Sequence, residues 1–176
     1  AQYWRQTQQL LDNRQLFLAG YSEGGYVTMA THRALQAGTS THRRDIVSVL
    51  PGAGPYNVGL TLDEALKVVA QAYPLLGPFL QPGVLKYLST ANRNRVRDQL
   101  LQQLMGDDAD VTFMPNFIDN YMADDRAATQ TLSDVYDWRP EAPANLFHGR
   151  DDRTVSYLNA TSTLQAMQTR GAGNLV

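Results

Sequence analysis

The sequence predicts an α/β fold built on parallel strands, with a helical insertion in its middle. Three observations predict it. A short apolar run, Gln15-Leu16-Phe17-Leu18-Ala19, is followed by an amphipathic stretch over 23–37 and a second apolar run, Ile46-Val47-Ser48-Val49-Leu50. Strand, helix and strand in so short a length make a βαβ unit, because parallel strands need a crossover, and that crossover is nearly always right-handed. The alternation returns at Ala144-Asn145-Leu146-Phe147-His148 and over 159–169, whereas no strand-like run stands between Leu60 and Trp138.

Each element has a local reason. Residues 1–13 read as a helix whose apolar stripe is Tyr3, Trp4, Leu10 and Leu11. Asn13 and Gly20 bound the first strand. The helix from Glu23 to Ala37 carries Val27, Ala30, Ala34 and Leu35 on related faces, and Gly38 ends it. The second strand stops at Leu50, where Pro51-Gly52-Ala53-Gly54-Pro55 breaks it. Helices are predicted over 61–72, 84–105 and 116–131, with Tyr73–Pro82 apolar but broken by prolines. Near the end come the strand Ala144–His148, a helix over 159–169 with Leu164 and Met167 inward, a turn at Gly171-Ala172-Gly173, and the opening of another strand at Asn174-Leu175-Val176. The expected organisation is a core over 1–56, a helical cap or lid over 57–138 and a return to the core over 139–176.

Composition narrows the function. Of 176 residues, 43% are hydrophobic and 18% charged, enough for a buried core. The formal net charge is -2, and Arg93, Arg95 and Arg97 point in different directions on a helix, so nucleic-acid binding has no electrostatic footprint. Without cysteine there are no disulfides, thiolate nucleophiles or zinc–sulfur sites. No apolar run approaches the ~18 residues of a membrane span. The acidic residues Asp107, Asp108, Asp110, Asp119, Asp124 and Asp125 lack the spacing of an oxygen-ligand loop and read as a solvated face, so no metal and no cofactor are expected.

The chemistry is concentrated at Gly20-Tyr21-Ser22-Glu23-Gly24, a G-x-S-x-G pattern with a strand directly before it and a helix directly after. A serine that projects from such a turn sits in a strained backbone, and small neighbours are needed beside it. Gly20 and Gly24 flank Ser22, and Gly25 lets the helix lie close to the sheet. The helix N-terminus favours developing negative charge, and the Glu23 N–H is the natural first oxyanion donor. The competing readings are a turn that only caps a helix, with Ser22 as N-cap, and a phosphate loop, which lacks its Gly-Lys-Ser/Thr.

A nucleophilic serine needs a base, and the base needs an orienting acid. The run Asn145-Leu146-Phe147-His148-Gly149-Arg150-Asp151-Asp152-Arg153-Thr154-Val155 supplies carboxylates just after a strand. Its His148-Gly149-x-x-Asp152-x-x-Val155 pattern resembles the acid turn of α/β-hydrolases. The resemblance extends over residues 1–56 and 140–176, where Gly20–Tyr26 and Gly52-Ala53-Gly54-Pro55-Tyr56 look like bacterial esterase/lipase-like and prolyl-oligopeptidase-like enzymes. It implies a partial α/β-hydrolase fold in which Asp152, rather than its neighbour Asp151, is the acid. It also implies a small ester or lipid-like substrate and a secreted or periplasmic setting. The expected activity is cleavage of carboxylic esters through an acyl-enzyme. Serine peptidase activity and a non-catalytic hydrolase-like binding module stand as alternatives.

The resemblance also implies a catalytic histidine after a strand beyond Asn174. All three histidines precede Asp152. His32 is expected to be surface or half-buried on the helix after the elbow, His42 to lie in a solvated loop, and His148 to belong to the structure of the acid turn. The expectation is therefore a fragment with Ser22 and Asp152 but no base. Alone it should have little or no esterase activity, and it should associate with its missing parts or with another copy. Phe79, Leu80, Val84, Leu85, Tyr87, Leu88, Phe113, Met114, Phe117, Ile118, Tyr121 and Met122 read either as an acyl-binding cap over Ser22 or as ordinary helix packing.

Overall fold

The computed structural model describes residues 13–72, 81–105 and 114–176. It divides into two compact units, Ala1–Tyr56 with Val135–Val176, and Asn57–Asp134. The expected N-terminal helix, most of the proline-broken stretch, and Phe79, Leu80, Phe113, Asp107, Asp108 and Asp110 lie outside the described residues. Among the described residues no helix is long and apolar enough to cross a membrane.

In the first unit, strand β1 (Leu16–Tyr21) leads into helix α1 (Glu23–Ala37) and then strand β2 (Ile46–Gly52). The strands pair in parallel, from Leu16 opposite Ile46 to Tyr21 opposite Gly52, with one register shift between Leu16 and Phe17. Both strands run further than their apolar runs suggested. Pro51 lacks only a donor, and its carbonyl still accepts a bond from the Phe147 N–H at 3.1 Å.

The run expected as a strand over 144–148 does not form a continuous one. Isolated parallel bridges join Val49 to Ala144, Gly52 to Phe147 and Ala144 to Leu175. The backbone bonds around them are nonetheless regular: Val49 N–H to Pro143 O at 2.9 Å, Asn145 N–H to Val49 O at 2.9 Å, and Leu146 N–H to Val176 O at 2.8 Å. The Ala144 and Asn174 segments therefore extend the β1–β2 ladder outward.

One face of this sheet carries the unit's core. Val49 and Ala144 pack with Met29 of α1, Met167 of α7 (Leu158–Thr169), Tyr56 and Val135, and with the half-buried Leu18, Trp138 and Leu175. The core-facing side of α1 is Gly25, Thr28, Met29 and His32, which repeats at i, i+3, i+4 and i+7. Val27, grouped in the sequence with Ala30, Ala34 and Leu35 on related apolar faces, is exposed. His32, expected at or near the surface, is fully buried with its ring edge-on to Trp138, 4.9 Å between centroids. Gln36, bonded to Arg139 O and to the Glu141 N–H, both at 2.8 Å, ties α1 to the returning chain, and an Arg43–Glu141 ion pair holds it from the other side. Val135, Tyr136 and Trp138 pack into this core, so the chain rejoins the unit at Val135, ahead of the expected boundary at 138.

The second unit contains α2 (Val58–Ala72), a short α3 (Pro82–Leu85), α4 (Thr90–Met105), α5 (Pro115–Met122) and α6 (Arg126–Ser133). The helix predicted over 84–105 is interrupted at Ser89, whose side chain accepts from the Asn92 N–H at 3.4 Å. That predicted over 116–131 breaks at Asp124, with φ 61°, and restarts under Asp125, which accepts from the Ala128 N–H at 3.0 Å. Leu62, Leu66, Leu85, Phe117, Ile118, Tyr121 and Met122 form one buried cluster, with Leu88 half-buried against it. For six of the residues weighed between cap and helix packing, these contacts are those of helix packing. Tyr87 and Met114 are exposed.

Candidate active site

Ser22 sits where β1 ends and α1 begins, with φ 57° and ψ −123°. A side chain there is strained, and such a conformation persists only where the surroundings enforce it. The enforcement is visible. The Ser22 N–H donates to Gly52 O at 2.8 Å, and Ser22 O accepts from the Gly25 and Tyr26 amides at 2.9 and 3.2 Å. Ser22 occupies the N-cap position, yet its side chain makes no bond to the helix. This counts against the capping reading, because an N-cap serine is favoured for the bond its oxygen accepts.

The glycines around it are not equivalent. A Cβ on Gly25 would collide with the Gly52 carbonyl, and one on Gly20 with the Gly24 carbonyl, but one on Gly24 would meet nothing within 4 Å. Close packing of helix on strand thus rests on Gly20 and Gly25, and the second glycine of the pattern is free of it. The amides at the turn also divide. That of Ser22 is spent on Gly52, whereas the Glu23 N–H has no backbone acceptor among the described residues.

Asp152 lies in the turn after the Ala144–Phe147 segment. Its Oδ1 accepts the Thr154 and Val155 amides at 2.8 and 3.0 Å. The bond from Val155, then that from Thr154, and more weakly the nearby His148, hold its carboxyl below the usual carboxylate range. Asp151 is exposed. The His148 side chain is buried, with Nε2 2.8 Å from Val155 O and 3.6 Å from Asp152 Oδ2, and its ring edge-on to Tyr157. Nε2 therefore carries the proton, donated to Val155 O, and the histidine ties the two ends of the acid turn together. His42 is exposed, with Nδ1 3.2 Å from Asp45.

Sequence reasoning missed the Gly52 carbonyl as the partner of Ser22, although the Gly-Ala-Gly run after the second strand marked a place where backbones approach closely. Among the described residues no group of three or more His, Cys, Asp or Glu is placed to hold a metal ion. Asp124 pairs with Lys86 and Arg126, and Asp125 caps α6. A shallow groove of about 530 Å³, lined by Tyr136, Ser162 and the ion-paired Asp137 and Arg170, contains none of the candidate catalytic residues.

No protein-family model matches the sequence, and a search of curated proteins gave no match. Solved structures do match. A mutant of the rice cell wall degrading esterase LipA from Xanthomonas oryzae superposes with a TM-score of 0.62 at 22% identity, covering 100% of this chain and 53% of that one. The chain has part of an α/β-hydrolase-like fold. A second LipA structure gives a TM-score of 0.61 at 20% identity, over 99% of this chain and 53% of that one. A putative hydrolase from Legionella pneumophila gives 0.60 at 20% identity, over 99% and 52%. The chain thus spans about half the length of the α/β-hydrolases it matches.

Proposed function

We propose that this chain supplies the nucleophile and the acid of a serine hydrolase that cleaves carboxylic esters. One observation carries the reading: a serine held at φ 57° between a parallel strand and a helix, with its side chain unused by the helix it precedes. The esterases that share the fold support esters as the substrate class.

In this mechanism Ser22 Oγ attacks the ester carbonyl while a histidine takes its proton. The Glu23 N–H, at the positive end of α1, receives the oxyanion. Collapse expels the alcohol and leaves an acyl-serine, which water then hydrolyses. Asp152 stays ionised because two amides hold Oδ1, and Oδ2 is the oxygen left to orient the imidazole. The base comes from outside these 176 residues. His32 is locked in the core, His148 is enclosed in the acid turn, and His42 pairs with Asp45 on the surface.

The test is labelling by a fluorophosphonate and hydrolysis of p-nitrophenyl esters by the polypeptide expressed from its complete reading frame. Ser22→Ala should abolish both. Asp152→Asn should lower turnover by about 10³–10⁴-fold, as expected when the acid no longer fixes the tautomer of the base. Hydrolysis that survives Ser22→Ala overturns the reading. A burst of product from the 176-residue chain alone overturns the placement of the base.

A further inference from the structure

Ser22 is one of two strained residues at the same end of the sheet. The other is Ala53, at φ 44°, directly after β2. Its position is unexpected. Ala53 lies between Gly52 and Gly54, residues that would tolerate a positive φ at no cost, yet the left-handed conformation falls on the alanine. The two glycines serve contact instead. A Cβ on Gly52 would crowd the Tyr21 ring at 3.1 Å, and one on Gly54 would meet the Tyr26 amide at 2.8 Å and the Tyr56 ring at 2.5 Å. The loop therefore lies against both the strand before Ser22 and the helix after it.

Its backbone bonds run in two directions. Gly52 O accepts the Ser22 N–H at 2.8 Å, and the next residue, Ala53, donates its N–H to Phe147 O at 2.7 Å. Phe147 precedes His148 and the turn that holds Asp152. Both groups belong to the single planar Gly52–Ala53 peptide, whose C=O meets the nucleophile's backbone and whose N–H meets the strand that leads to the acid. The torsion φ at Ala53 sets how this peptide plane stands against the loop that follows, and it is held at 44°. Ala53 is almost completely buried, so the surroundings hold it on all sides.

We propose that Ala53 is a positioning residue: its restricted φ locks the plane of the Gly52–Ala53 peptide, which binds the Ser22 N–H through Gly52 O and Phe147 O through the Ala53 N–H, and so fixes the Ser22 backbone relative to the acid-bearing segment. The proposal rests on the reading of Ser22 as a nucleophile for its catalytic consequence, but not for its structural one. An alanine at φ 44° has few alternatives, whereas a glycine has many. Ala53→Gly therefore accepts the observed backbone and folds, while loosening the link. Small displacements of a reacting group are costly in rate, and about tenfold slower acylation is expected.

The experiment uses the polypeptide from the complete reading frame, as wild type and as Ala53→Gly, with circular dichroism to establish that both are folded. Two readouts are taken: amide hydrogen exchange at Ser22, and the rate of fluorophosphonate labelling. The expected result is faster exchange at Ser22 in the variant, with the β1 amides from Leu16 to Ala19 unchanged, and about tenfold slower labelling. Ser22 exchange and labelling that both match the wild type overturn the proposal, as does Ser22 exchange that rises only together with all of β1. If the wild type takes no label while Ser22 exchange still responds to Ala53→Gly, the link stands and the assignment of the nucleophile fails.

Discussion

The two units are held together in different ways. In the helical unit, Asn57–Asp134, seven apolar side chains form the core, and a surface network surrounds it: Arg126 pairs with Asp63 at 3.0 Å, Tyr121 donates to Asp63 at 2.8 Å, and Lys86 reaches Asp124 at 3.3 Å. Burial, then the Asp63 carboxylate, push the Tyr121 hydroxyl far above its ordinary pKa, so it remains a donor. Among its described residues positive φ falls on Asp124, at a helix junction. In the α/β unit, backbone lies on backbone across glycines, buried polar groups share the core, and positive φ falls on Arg14 ahead of β1 and on Ser22 and Ala53, where the strands end. Strain maintained inside a close-packed backbone is a sign of function rather than of stability. The proposed nucleophile and acid both lie in the second kind of packing, and the two units are predicted to respond differently to substitution.

The largest effect is expected in the helical unit. Phe117→Ala removes a buried ring and should cost about 3–5 kcal/mol in urea denaturation. The loss of hydrogen-exchange protection should concentrate in 57–134. Equal loss along β1 would break the distinction between the units.

Next is the response of the α/β unit to acid. Burial pushes His32 down to about 4 from 6.5, against the opposing pull of Glu141. Between those values the unfolded chain binds a proton that the folded chain refuses. The stability is therefore complete above pH 6.5 and declines as the pH falls to about 4, by about 3 kcal/mol in all. Urea midpoints of wild type and His32→Gln across that range should converge at low pH, and parallel curves would contradict the assignment. Asp152, with its lowered pKa, adds to the loss only as the pH falls through the carboxylate range.

Smaller effects separate the glycines of the elbow. Gly25→Ala forces a methyl onto the Gly52 carbonyl and should cost about 1–3 kcal/mol, together with much of the labelling at Ser22. Gly24→Ala meets open space, and as a first-turn substitution it should stay within about 0.5 kcal/mol. The opposite order of these two variants would show that the G-x-S-x-G pattern, rather than the contact with Gly52, sets the constraint.

Legibility in the sequence followed the same division. Helix α1 was readable to its ends, because Ser22 and Gly38 punctuate it. Its buried face was not, because hydrophobicity favoured Val27 over Thr28 and His32, whose burial depends on the sheet and Trp138. The breaks at Ser89 and Asp124–Asp125 had local capping signals that the longer apolar periodicity obscured. The strand after Pro143 was legible as an apolar run, but its irregular pairing is a property of its neighbours. The turns that hold Ser22 and Asp152 were legible because a turn must be written locally in residue types. The bond from Ser22 to Gly52 was not, since no local pattern records which carbonyl a distant strand will present.

The central claim is that the strained serine is the reacting group. Mass spectrometry of the complete polypeptide after fluorophosphonate treatment tests it most directly. The account predicts one adduct, on the peptide that contains Ser22, lost in a folded Ser22→Ala variant. An adduct on another residue, or ester hydrolysis that persists in Ser22→Ala, would contradict it.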